Sequence, residues 1–129
     1  MKKMENFRKA FHNLKEIYKC EKPYEILELT GAVSLFEICF EQAWKAMKEQ
    51  LEKSGLDEGR TGSPKLIIKT AYSAGMINDE DLWLDALNDR NNVAHAYNEG
   101  IAVSILENTK ERYYDMFSML LQELESNWV

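Results

Sequence analysis

The chain has 129 residues, 45% of them hydrophobic, and a formal net charge of −6; this length suits one domain with a real core and excludes a catalytic domain joined to a separate substrate domain. Six Gly and two Pro in such a composition exclude disorder and favour helices. The acidic balance excludes tight, non-specific nucleic-acid binding.

Phe7, Phe11, Leu14 and Tyr18 recur at spacings of three and four, which predicts an amphipathic helix over residues 4–20; Pro23 ends it or starts the next. From Tyr24 to Lys53 the series Leu29, Ala32, Val33, Phe36, Phe40, Ala43, Trp44, Met47, Leu51 predicts the longest helix. On another of its faces Glu37, Glu41 and Lys45 follow at i, i+4, the pattern of a solvated surface or of a polar seam towards a partner. Ser54 to Gly62 reads as a loop. Ser63-Pro64 then supplies an N-cap and a first-turn proline for a short helix with Leu66, Ile67, Ala71 and Tyr72 on its apolar face and Gly75 as its stop. Asn78 is the expected cap of a fourth helix, whose acidic first turn, Asp79-Glu80-Asp81, suits the positive end of the helix dipole. Trp83, Ala86, Leu87 and Arg90 share its inner face, with Arg90 turned only about 20° from Trp83. An arginine aimed there must find an anion or line a cleft. After Gly100 a final helix is expected to about Asn127, with Leu106, Tyr113, Phe117, Leu120, Leu124 and Trp128 in one stripe. Nothing alternates with the strand period. The expected architecture is therefore all-α, an antiparallel up-and-down bundle of four to five helices in one domain over residues 1–129.

Charge is unevenly spread. Residues 1–77 hold 13 Lys/Arg against 11 Asp/Glu, and residues 78–100 hold one Arg against six acids. The first 22 residues carry seven bases and three acids, so an RNA or nucleotide contact would use local patches there, with Arg60, Lys65 and Lys69 as further candidates. Cys20 and Cys39 read as reduced thiols, and neither His12 nor His95 lies near a cysteine in sequence, so no metal site is expected. No apolar leader follows Lys2-Lys3 and no run approaches a membrane span. A soluble, cytoplasmic, untargeted protein is expected, with no membrane contact and no cofactor, working as a dimer or with a partner.

Chemistry concentrates in Arg90-Asn91-Asn92-Val93-Ala94-His95-Ala96-Tyr97. Histidine exchanges protons near neutral pH, and arginine offers a planar fork of donors to a phosphate. On an unbroken helix, residues five apart are turned by about 140°, so Arg90 and His95 cannot meet one atom. Either the helix breaks, for which Asn91-Asn92-Val93 is suited, or a two-fold axis brings two copies together. With such geometry His95 could take the proton from a ribose 2′-hydroxyl while Arg90 stabilises charge on the phosphoryl oxygens, without a metal. Asn91 and Asn92 would orient the substrate; Asp89, a carboxylate beside a phosphate, suits that task least.

This stretch resembles the R-x4-H-x-Y motif of HEPN-domain proteins, specifically the HepT-like partners of minimal nucleotidyltransferases. Leu35-Phe36-Glu37, Phe40-Glu41-Gln42-Ala43-Trp44-Lys45, Ser63-Pro64, Ala74-Gly75 and Asp81-Leu82-Trp83-Leu84 resemble the nucleotidyltransferase substrate-binding branch, and the similarity runs from about residue 5 to 127. The resemblance implies a helical bundle, a homodimer and a small nucleotidyltransferase as binding partner. It implies two competing functions. In one, Arg90 and His95 of both subunits form a metal-independent ribonuclease toxin, and the nucleotidyltransferase neutralises it by transferring AMP to Tyr97. In the other, the chain is a non-catalytic subunit offering a substrate surface to the enzyme that carries metal and nucleotide. The absence here of a G-S-x10-D-x-D motif agrees with both. A third reading is a helical adaptor in which Arg90 and His95 only stabilise the dimer.

Overall fold

The computed structural model describes residues 2–56 and 62–128; Arg60 and most of the loop expected between Ser54 and Gly62 lie outside them. Helix α1 (Lys2–Leu14) buries Met4, Phe7, Ala10 and Leu14. It does not continue as an α-helix to residue 20 but tightens into a 3-10 segment, Lys15–Lys19. With three residues per turn, the position after Leu14 on the same face is Ile17, which enters the core in place of the expected Tyr18. Tyr18 stays half-exposed, donates its hydroxyl to the Lys110 carbonyl at 2.8 Å and meets the Tyr114 ring edge-on.

Helix α2 (Ile26–Lys53) begins two residues later than its periodicity suggests because Glu25 and Glu28 form a capping box. It touches α1 and each of the three helices introduced next, and is the central element. At its far end Gly55, at φ +70°, lets its own N–H donate to the Glu52 carbonyl and that of Leu56 to the Leu51 carbonyl. Helix α3 (Pro64–Ser73) is capped by the Ser63 hydroxyl, which accepts from the Leu66 amide at 3.3 Å. Its buried stripe is Ile67, Ile68 and Ala71; Tyr72 lies about 90° from the centre of that stripe and is half-exposed, contrary to expectation. Gly75 closes this helix at φ +80°.

Helix α4 (Glu80–Asn91) is capped by Asp79, one residue beyond the expected Asn78, because the Asp79 carboxylate accepts from the Leu82 amide at 3.0 Å. Helix α5 (Glu99–Asn108) is capped by Asn98 and runs on through a π-turn, Thr109–Tyr113, into α6 (Tyr114–Glu123) and a last turn, Leu124–Trp128. The Thr109 hydroxyl, buried at the π-turn, donates to the Ile105 carbonyl at 2.7 Å. The expected stripe from Leu106 to Leu124 is buried throughout. Among the described residues there is no strand, and the architecture is the expected all-α bundle.

An aromatic cluster fills the centre. Phe36 stacks on Tyr113 at 5.4 Å, and Phe117 sits edge-on to Trp83 and Phe7 at 5.5 and 6.3 Å. Such pairs add about 0.5–1.5 kcal/mol each to the burial of their area. Cys39 lies within this packing with no exposed surface, and burial drives its thiol well above its ordinary pKa. Iodoacetamide at pH 8 is therefore expected to leave Cys39 unmodified in the native protein and to modify it in urea, as peptide mapping would show.

Candidate functional site

Helix α4 stops within the stretch from Arg90 to Tyr97. Asn92 forms its C-cap, donating its N–H to the carbonyls of Asn88 and Asp89 at 3.1 and 3.0 Å. A single 3-10 turn, Val93–His95, follows, in which the His95 amide donates to the Asn92 carbonyl at 2.9 Å. Asn98 then starts α5 through its side chain. The break expected from Asn91-Asn92-Val93 is thus present. Val93 and Ala96 lean on the core. His95 and Tyr97 are exposed, Tyr97 to 88%, with ring centroids 6.5 Å apart.

Arg90 lies on the inner side of α4 and finds an anion within the chain. Its Nη2 pairs with Glu41 Oε1 on α2, and its Nη1 donates to Asn91 Oδ1 at 3.2 Å. Glu41 Oε2 accepts from Trp44 Nε1 at 3.1 Å. The two side chains are only 28% and 23% exposed, so this pair is shielded more than a surface salt bridge. Glu41 is therefore not part of a solvated face: α2 is central, and a side of it that reads as polar still meets α4. The periodic Glu37-Glu41-Lys45 spacing fitted a solvated surface or a seam towards a partner, and nothing in it named Arg90, within the same chain, as the group that Glu41 meets.

Asp89 has a structural task. Its Oδ2 accepts from the Tyr113 hydroxyl at 2.7 Å and from Asn108 Nδ2 at 3.1 Å. Burial first, and then the hydrogen bond to the Asp89 carboxylate, hold the Tyr113 phenol far above its ordinary pKa. One helical turn earlier, Asp85 takes Arg112 at 2.5 Å. Of the proposed orienting groups, Asn92 caps α4, and exposed Asn91 holds the Arg90 fork.

Part of the N-terminal positive charge is engaged. Arg8 pairs with Glu125 at 2.7 Å, Lys19 with Glu16 at 2.9 Å and Lys22 with Glu107 at 2.7 Å. This last contact raises the pKa of Lys22 and lowers that of Glu107. Lys65 and Lys69 stand exposed on α3.

A groove of about 460 Å³ adjoins the exposed turn, lined by Ile26, Leu29, Thr30, Val33 and Ser34 of α2 and by Val93, Ala96, Tyr97, Glu99 and Ala102. It was not foreseen from the sequence; its signal there is that Ile26 and Leu27 precede the buried series of α2 without belonging to it. Among the described residues no three His, Cys, Asp or Glu side chains converge as a metal-ligand set, and no helix is long and apolar enough to cross a membrane.

The chain matches the family described as nucleotidyltransferase substrate binding protein like over residues 2–126. Over 98 residues it is 28% identical to a Haemophilus influenzae protein named Probable ribonuclease HepT; the match takes in 74% of this chain and spans 66% of that relative's length. A crystal structure of a Thermus thermophilus protein superposes with a TM-score of 0.81 at 34% identity, covering 92% of this chain and 98% of the other. A Haemophilus influenzae structure, described as revealing the fold of a substrate binding domain of a nucleotidyltransferase, superposes with a TM-score of 0.80 at 24% identity, covering 95% and 99%. That last likeness concerns the fold.

The shielded ion pair is expected to stabilise the protein measurably. Arg90→Ala should cost about 1–2 kcal/mol in urea unfolding, and a double-mutant cycle with Glu41→Gln should return a coupling of about 1 kcal/mol; zero coupling would show that the pair contributes nothing.

For Tyr113 the folded pKa is raised above the unfolded value of 10.0. Above that pH the unfolded chain loses its proton while the folded one keeps it, so this contribution is complete below pH 10 and falls as pH rises beyond it. Tyr113→Phe should cost about 1–3 kcal/mol at pH 7 by taking a donor from Asp89, and its deficit against wild type should narrow above pH 10 in denaturant titrations.

Proposed function

The chain belongs to the HepT-like, nucleotidyltransferase substrate binding protein like family, and from that premise we propose that it is the ribonuclease toxin subunit of a nucleotidyltransferase-linked pair, active as a homodimer. The observation that carries this reading is the end of α4 at Asn91, which leaves His95 and Tyr97 side by side in solvent while Arg90 stays on the inner face. Within one chain Arg90 is turned inward to Glu41 while His95 lies exposed beyond the end of α4; two copies related by a two-fold axis would supply a composite cleft. Exposed apolar residues on α2 support such a dimer. Leu27 and Ile38, eleven positions apart, lie within about 20° of each other on that helix, and the groove beside Tyr97 adjoins it.

In this mechanism His95 takes the proton from a ribose 2′-hydroxyl as that oxygen attacks the adjacent phosphorus. The bond from phosphorus to the 5′ oxygen breaks, and an imidazolium returns a proton to the leaving oxygen. Arg90 stabilises the charge growing on the phosphoryl oxygens. Its fork has five N–H donors, of which the contacts to Glu41 and Asn91 engage only part. Asn91 and Asn92 orient the RNA. Neutralisation follows when the partner nucleotidyltransferase, which brings the nucleotide, directs the Tyr97 hydroxyl at the α-phosphorus of ATP, and pyrophosphate leaves. The attached AMP puts negative charge and bulk where an RNA phosphate must sit.

The ion pair with Glu41 favours a second reading, because it already neutralises Arg90. In that reading the chain is a non-catalytic substrate-binding or nucleotide-binding subunit of a two-component nucleotidyltransferase. Expression of the chain with and without the nucleotidyltransferase separates the two. The toxin reading expects growth arrest by the chain alone, RNA cleavage in EDTA, and a rise of one AMP unit or a multiple, mapping to Tyr97, when the partner is present. His95→Ala should keep the fold and reduce cleavage by about a hundredfold or more. Harmless expression with unchanged mass would sink it, and partner nucleotide transfer that changes on mixing, with no cleavage, would establish the subunit reading.

A further inference from the structure

A second surface, separate from Arg90 to Tyr97, combines an apolar floor with acidic walls. A groove of about 420 Å³ lies between the start of α4 and α6, floored by Met76, Trp83, Met116 and Met119. It shares Asp79 and Leu82 with a shallower depression of about 470 Å³, walled by Asp81, Asp85 and Glu111. We propose that this continuous groove docks a basic amphipathic helical segment of another protein.

Three observations carry the choice of occupant. Met119 is 53% exposed at the groove, beside the buried Met116, Phe117 and Leu120 of α6. Methionine is flexible and polarisable, so a floor with three of them adapts to an aromatic or branched anchor. The walls are negative: of the residues lining the two depressions only Arg112 is cationic, and Asp85 engages it. Glu123 extends that sign to the other end of the groove. Complementarity therefore calls for Lys or Arg one turn from an apolar anchor. Finally, the described residues offer no strand edge, so an incoming backbone must satisfy its own hydrogen bonds, which a helix does. RNA and anionic membranes carry the wrong sign for these walls. A second copy of this chain is a poor occupant as well, because its basic helix α1 turns Phe7 and Leu14 into its own core.

The test uses two fluorescein-labelled synthetic helical peptides of about 18 residues, sharing a Leu/Trp face but carrying either Lys/Arg or Glu on the polar face. Fluorescence anisotropy with the full chain is expected to give saturable micromolar binding of the basic peptide only, weakened as salt rises from about 0.05 to 0.3 M. Met119→Glu, and separately Asp81→Asn with Glu111→Gln, should weaken it by about tenfold or more, and Arg90→Ala should leave it unchanged. Circular dichroism melts confirm that the variants fold, with Met119→Gln in reserve should Met119→Glu fail. The proposal is overturned if the basic peptide does not saturate, if the acidic peptide binds equally, or if the Met119 variant binds like wild type. It is also overturned if Met119→Glu reduces the oligomer in sedimentation, since a second copy would then cover the groove.

Discussion

The last turn of α4 is clasped from two sides, and the presentation of the exposed turn depends on that clasp. From α2, Glu41 holds Arg90; from the C-terminal helical run, Tyr113 and Asn108 hold Asp89. Adjacent residues on a helix point about 100° apart, so a pair at positions 89 and 90 can reach two different neighbours at once. With both engaged, the end of the helix cannot rotate or slide without breaking the ion pair to Glu41 and the hydrogen bonds to the Asp89 carboxylate. The chain after Asn91 therefore leaves at a defined point, and His95 and Tyr97 emerge beside the groove on α2.

The same clasp sets the state of Arg90. A guanidinium on an apolar helix face needs an anion, and removing one member of a partly buried pair costs stability because it leaves the other uncompensated. The pair also supplies position: Arg90 is held at one place with donors remaining, ready for a phosphate oxygen in the proposed cleft. Asp89 has no such freedom, because it accepts two hydrogen bonds from the C-terminal run, one of them from a residue of the π-turn. The extra residue of that turn shifts the register of the C-terminal helix, and the same turn brings Tyr113 between Asp89 and the Phe36 ring.

Charge divides the surface. The exposed turn and its groove carry apolar residues, an imidazole, a phenol and the single carboxylate of Glu99, while the start of α4 and the facing α6 carry several carboxylates around methionines. Along the sequence, the acidic run at 79–89 counts against an RNA-handling site a few residues on. In the fold its members separate: Asp79 caps a helix, Asp85 and Asp89 are engaged by Arg112, Tyr113 and Asn108, and Asp81 faces the other groove. The acids nearest Arg90 are thus engaged within the chain.

Local rules made most of the fold legible. Apolar residues at spacings of three and four, Ser63-Pro64 as a helix start, Gly75 as a stop and Asn91-Asn92-Val93 as a break depend only on near neighbours, and each is found where the sequence indicated it. The misses lie at helix ends and stripe edges, where a near neighbour fits as well. Tyr18 lost its core position to Ile17 through a tightened turn, Tyr72 lay off its stripe, and Asp79 displaced Asn78 as the cap. Determined by the sequence alone were the all-α class, the residues of the motif and the demand that Arg90 either find an anion or line a cleft. The tertiary structure decided that Glu41 is the anion, that Asp89 serves Tyr113, and where the two grooves lie. Such choices join residues dozens of positions apart, and helical period records which way a side chain points but not which element it meets.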